Sequence, residues 1–174
     1  MKHVPNLITI ARLFFVPIFI YAFFSGSQYG QFYALAIYII AGGTDLLDGY
    51  LVRKYDVVSV VGIVLDPLAD KLMLLAALWC LFTVSEIPTI FFVMMVVIEG
   101  LQISSGIYLY FNPQKTIIPA NKFGKSATVL FALAITLLIL IPNSSLAMGI
   151  LLLAVAAKVV SFTSYFLLYL RRKR

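Results

Sequence analysis

Residues 31–70 read QFYALAIYIIAGGTDLLDGYLVRKYDVVSVVGIVLDPLAD. The stretch opens as an apolar run, takes on Asp45 and Asp48, breaks at Arg53-Lys54-Tyr55-Asp56, and turns apolar again before reaching Asp66 and Asp70. Two apolar runs joined by a short polar turn predict two antiparallel helices. Acids inside such runs need a reason, because an isolated Asp at a bilayer centre costs roughly 2.5–3.5 kcal/mol. The stretch therefore bears on both fold and chemistry.

The rest of the chain sets the solvent. Of its 174 residues, 63% are hydrophobic and 11% charged, with a mean hydropathy of +1.05, where a soluble domain carries roughly a quarter charged residues. Water cannot solvate that much apolar surface, so lipid is expected to cover most of it. The length suits one domain. Cys80, the single cysteine, lies in an apolar run and reads as core filler. The net charge of +6 is expected to face the cytoplasm and its anionic lipids rather than nucleic acid.

Six apolar runs of spanning length follow from the polar breaks, at about Leu7–Phe24, Phe32–Tyr50, Val57–Val84, Pro88–Tyr110, Ser126–Ile141 (its helix starting nearer Lys122) and Ser145–Leu170. The cations segregate. Lys2, Arg12, Arg53, Lys54, Lys115, Lys122, Lys125, Arg171, Arg172, Lys173 and Arg174 fall at one side, whereas the loops around Gly26, Glu86 and Asn143 hold none. Six spans with both termini and the acidic segment at the cytoplasmic side give this pattern. The expected fold is thus all-α: a polytopic integral membrane protein of six transmembrane helices. Residues 1–12 are expected as an N-terminal interfacial helix, with Arg12 reaching the headgroups. No small-x-small cleavage site follows the first run. Trp79 and the Met94-Met95 pair read as lipid-facing or interfacial.

Spacings of three (Asp45, Asp48) and four residues (Asp66, Asp70) place each pair on one helix face. Antiparallel neighbours can then bring all four carboxylates together. Four like charges in an apolar setting repel one another, and cations remove that penalty. Hard oxygen donors without His or Cys nearby suit Mg²⁺, Mn²⁺ or Ca²⁺ rather than zinc. A lone Asp-x-x-Asp-Gly is often only a capped helix end. Two such pairs inside apolar runs, beside Gly42, Gly43, Gly49 and Gly62, are not explained that way, and the small residues let a backbone or a ligand come close.

Written out, the segment is Asp45-x2-Asp48-Gly49-x2-Val52-Arg53-x8-Gly62-x3-Asp66-x3-Asp70. It resembles the signature of the CDP-alcohol phosphatidyltransferases (class I), D-x2-D-G-x2-A-R-x8-G-x3-D-x3-D, with Val52 in place of the usual Ala. Pro5-Asn6-Leu7-Ile8-Thr9-Ile10-Ala11-Arg12 and Gly124-Lys125-Ser126-Ala127-Thr128 are similar to segments of the phosphatidylglycerophosphate synthase branch, so the resemblance spans residues 1–174 as one transmembrane domain. It implies a CDP-diacylglycerol donor whose β-phosphorus is attacked by an acceptor hydroxyl, with release of CMP. It also implies two divalent ions, Mg²⁺ or Mn²⁺, held by Asp45, Asp48, Asp66 and Asp70; Asp70 as general base; and Gly49, Arg53 and Gly62 against the CDP moiety. Lys71 should point about 100° away from Asp70 and is left out of the site. A homodimer is compatible with the resemblance.

The acceptor is less legible. The phosphatidylglycerophosphate synthases carry an Arg-Glu pair in the fourth span and a second Lys in the Gly-Lys-x-Lys-Thr segment; here these positions hold Ile98, before Glu99, and Ala127. Each departure removes a cation that a phosphorylated acceptor would use. Lys115, Lys122 and Lys125 remain, with Lys125 the expected acceptor-phosphate contact. Glycerol 3-phosphate is the first expectation. A cardiolipin synthase that uses phosphatidylglycerol is the alternative, and an ion-coupled transporter a remote one, disfavoured because the chain lacks two similar halves.

Overall fold

A computed structural model describes the backbone of residues 4–55, 60–111 and 122–172, and the side chains of 11–44, 68–69, 71–105, 107–108 and 126–164. The described residues form six helices and no strand: α1 (Val4–Phe24), α2 (Gly30–Tyr55), α3 (Val60–Thr83), α4 (Thr89–Phe111), α5 (Lys122–Leu140) and α6 (Ser145–Arg172). Each coincides with one of the expected apolar runs, and α5 begins at Lys122. Ser145–Ser164 is long and apolar enough to cross a membrane. Among the described residues, shorter apolar helical stretches run over Ala11–Phe24, Lys71–Thr83, Thr89–Ser105 and Ser126–Leu140.

The stops between helices are local. Gly26 takes a left-handed conformation (φ 65°) just past α1, Ser85 (φ 62°) past α3, and Asn143 (φ 60°) past α5, the usual way of turning a chain out of a helix. Ser144 caps α6, its hydroxyl accepting the Ala147 N–H at 3.3 Å. Hydroxyls within the helices turn back on their own backbone: Thr44 on Ile40, Ser104 on Gly100, Thr136 on Ala132 and Thr163 on Val159. This satisfies them without water.

The chain makes two compact units, Met1–Val84 and Ser85–Arg174. In the first, α1 packs along α2 and α3, and α2 also meets α3. Its core holds Phe19, Ala34, Tyr38, Ala41, Met73, Ala77, Leu78 and Leu81. The Phe19 and Tyr38 rings stand 6.1 Å apart between α1 and α2, and Phe24 meets Trp79 edge-on at 5.8 Å between α1 and α3. In the second unit, α5 and α6 form a tight antiparallel hairpin and α4 packs on α6. Ala127, Phe131, Ala134 and Leu138 of α5 and Ala147, Leu151 and Ala154 of α6 are buried. This alternation of three and four residues is a knobs-into-holes seam, closed by small side chains.

Three expectations change. Residues 4–24 form one uninterrupted helix, so the segment expected at the interface is continuous with the first apolar run among the described residues. Arg12 is 1% exposed; it points into the first unit rather than out to headgroups, because its register on α1 faces the packed side. Met95 is core in the second unit, while Trp79 is exposed as expected.

Candidate active site

Helix α2 carries Asp45 and Asp48, and α3 carries Asp66 and Asp70. Both segments are continuous helix, so the three- and four-residue spacings do place the members of each pair one turn apart along one side. Asp48 stands seven residues before the end of α2 and Asp66 six residues after the start of α3, or about 10 Å along each axis. All four acids therefore occupy the same end of the first unit, beside the 56–59 connection, on two helices in contact. Gly49 and Arg53 follow on α2, and Gly62 precedes on α3. The side chains of all seven residues, and that of Lys125 near the start of α5, lie outside the described ones, as does the whole of Lys115.

Two nearby features are visible. A Cβ on Gly42 or Gly43 would meet nothing within 4 Å among the described residues. Lys71 is half-buried and engaged by its surroundings. As a donor set, four aspartates on two contacting helices, with the only described Cys of α3 buried ten residues beyond Asp70, fit hard divalent ions and offer nothing to a soft metal.

The second unit holds a feature that the apolar-run reading passed over. Lys158 of α6 is 4% exposed and donates to Glu99 Oε1 of α4, itself 0% exposed. The departures at Ile98 and Ala127 are both buried and apolar, so the described cation in this part of the protein is Lys158. Its signal was in the sequence: a Lys in the middle of the sixth apolar run and a Glu in the middle of the fourth.

The described residues are thus all-helical and largely apolar, with four aspartates toward one end of α2 and α3 in a three-helix unit of the chain. Its residues 2–160 match the CDP-alcohol phosphatidyltransferase family, and the chain belongs to that family. It is thus a transferase of phospholipid biosynthesis, which removes the transporter alternative. Among its relatives, the CDP-diacylglycerol–glycerol-3-phosphate 3-phosphatidyltransferase of Rickettsia felis is 30% identical over 95% of this chain and 89% of its own length. The Bacillus subtilis enzyme of the same name is 32% identical over 80% of this chain and 78% of its own. A cardiolipin synthase (CMP-forming)/mitochondrial hydrolase fusion protein of Schizosaccharomyces pombe is 34% identical over 68% of this chain but 19% of its own length.

Proposed function

We propose that the protein makes phosphatidylglycerophosphate: it transfers the phosphatidyl group of CDP-diacylglycerol to glycerol 3-phosphate and releases CMP. The observation that carries this is the likeness over nearly the whole chain to relatives named for that reaction, joined to the placement of the four aspartates at one end of α2 and α3. The expected setting is six transmembrane helices with both termini and the aspartates on the cytoplasmic side. That setting is supported by the segregated cations and by helices of 19–28 residues.

In this mechanism Asp45, Asp48, Asp66 and Asp70 hold divalent ions, Mg²⁺ or Mn²⁺, which when bound neutralise the diphosphate and the departing CMP. Gly49 and Gly62 leave room for the CDP moiety, and Arg53 pairs with it. Asp70 takes the proton from the acceptor hydroxyl as its oxygen bonds to the β-phosphorus. The bond from that phosphorus to the CMP oxygen breaks, and CMP leaves with the electron pair. Lys125, on α5, is the residue assigned to the acceptor phosphate.

Purified protein given CDP-diacylglycerol, glycerol 3-phosphate and Mg²⁺ or Mn²⁺ should release CMP and form phosphatidylglycerophosphate. Chelation should abolish the transfer, and Asp45→Ala or Asp66→Ala should lose it in protein that remains folded. Full activity in excess chelator sinks the metal assignment. The S. pombe relative favours one second reading, in which phosphatidylglycerol is the acceptor. Cardiolipin as the product, with no response to glycerol 3-phosphate, would decide for it.

A further inference from the structure

The Lys158–Glu99 pair has no part in the mechanism above. The buried side of α6 runs Ala147, Leu151, Ala154, Lys158, Ser161, the three–four alternation of a packing seam. Lys158 thus stands where the pattern calls for another apolar knob. Replacing a buried ion pair by apolar side chains of similar volume is commonly neutral or stabilising, so packing gives no reason for it. An ionisable residue in the middle of an apolar helix is by default a functional candidate.

Its surroundings point to an anion. Lys158 is thirteen residues from the start of α6, and Ala127 thirteen from the end of α5; in an antiparallel hairpin this sets them at one level. Lys122 and Lys125 lie within about two turns of that level on α5. One turn beyond Lys158 on α6 is Ser161, buried, and one turn beyond Glu99 on α4 is Gln102, half-buried. These are a hydroxyl and an amide able to donate to a phosphate.

We infer that the buried Lys158–Glu99 pair belongs to the acceptor-phosphate subsite. Lys158 receives the phosphate of the acceptor, and Glu99 is a positioning residue that holds the ammonium until the phosphate competes for it. The inference rests on the proposal that the acceptor is a phosphate monoester. It makes acceptor choice depend on a residue of α6 as well as on Lys125.

The test uses the full-length protein in detergent with Mg²⁺ or Mn²⁺, varying glycerol 3-phosphate and CDP-diacylglycerol separately. Lys158→Met should raise the KM for glycerol 3-phosphate by roughly tenfold or more while leaving that for CDP-diacylglycerol within about twofold, and Lys158→Arg should recover most of the loss. Lys158→Met alone strands a buried carboxylate and can fail to fold, so the double variant Lys158→Met/Glu99→Gln, with neither charge, carries the decision. It should match the native protein in thermal stability yet keep the raised acceptor KM, and glycerol 3-phosphate should protect the native protein, but not the double variant, against heating. A double variant with native acceptor KM overturns the inference and makes the pair structural. A native protein that gives no product with glycerol 3-phosphate overturns the acceptor proposal itself, and this inference with it.

Discussion

Asp70 differs from the other three aspartates in the role assigned to it: it is to accept a proton as well as to hold an ion. Asp70→Asn keeps the shape and one carbonyl oxygen but removes the basic site. It should bind CDP-diacylglycerol with at most a severalfold weaker affinity and turn over at least about a hundredfold more slowly, the usual size of a general-base contribution. Donor binding and single-turnover rates measured on the same preparation check this, and an Asn variant with native turnover removes Asp70 from the role. Arg12 is the opposite case, a charge whose place could not be read from its neighbours. Hydropathy along the chain assigns a cation near the end of an apolar run to the interface. Whether it instead turns inward depends on which side of α1 packs against α2 and α3, which is tertiary information. The resemblance of Pro5–Arg12 to a family segment marked the residue without saying which way it faced.

At the scale of elements, the α1–α2 turn shows what a glycine does when space is the constraint. Ser25 donates its hydroxyl to Ala22 O at 2.9 Å, Gly26 is left-handed, and the Gly30 N–H closes on Ser27 O at 2.9 Å. A Cβ on Gly30 would lie 2.6 Å from Ser25 Oγ and 2.9 Å from the Ala22 carbonyl oxygen. The hydroxyl can rotate away, but the carbonyl belongs to the last turn of α1 and cannot. Gly30→Ala should therefore destabilise the first unit by about 1–3 kcal/mol, the cost of overpacking, and lower the thermal midpoint in detergent. Gly42→Ala, with open space among its described neighbours, should leave it near the native value. The helices themselves were legible because apolar run length and polar breaks are local properties, and all six runs became helices. The aspartates were legible because their spacing is a property of one helix. The Glu99–Lys158 pair was not, since it joins positions 59 residues apart and each partner alone looks like an interruption. The tie from Glu86 Oε2 to the Asn143 N–H at 2.8 Å, which fastens the start of the second unit to the α5–α6 turn, was hidden for the same reason.

For the whole molecule, the six-span arrangement is tested by the number of helices that cross the bilayer. Ser145–Ser164 meets the criterion of length and apolarity outright among the described residues. The other helices are 19–26 residues long, or roughly 28–39 Å at 1.5 Å per residue, against a hydrocarbon core of about 30 Å. They are long enough to span, and several of them carry their polar residues toward one end. That end alternates along the chain: Arg12 lies in the first half of α1, Asp45, Asp48 and Arg53 in the second half of α2, Asp66 and Asp70 in the first half of α3, and Lys122 and Lys125 at the start of α5. Such alternation is what an up-and-down path makes of a polar site opening on one side of a membrane, and it agrees with the cation-free turns at Gly26, Glu86 and Asn143. Cys80 is buried and should stay silent to a membrane-impermeant maleimide, which leaves the native background low. In intact cells, Ser27→Cys and Ser145→Cys, both at exposed positions, should label, whereas Lys54→Cys and Lys173→Cys should label only once the membrane is permeabilised. Labelling of Lys173→Cys but not Ser27→Cys in intact cells would invert the topology and put the aspartates on the far side from the cytoplasm. Labelling of all four would mean that the helices between them do not seal a bilayer, and the six-span arrangement would fall.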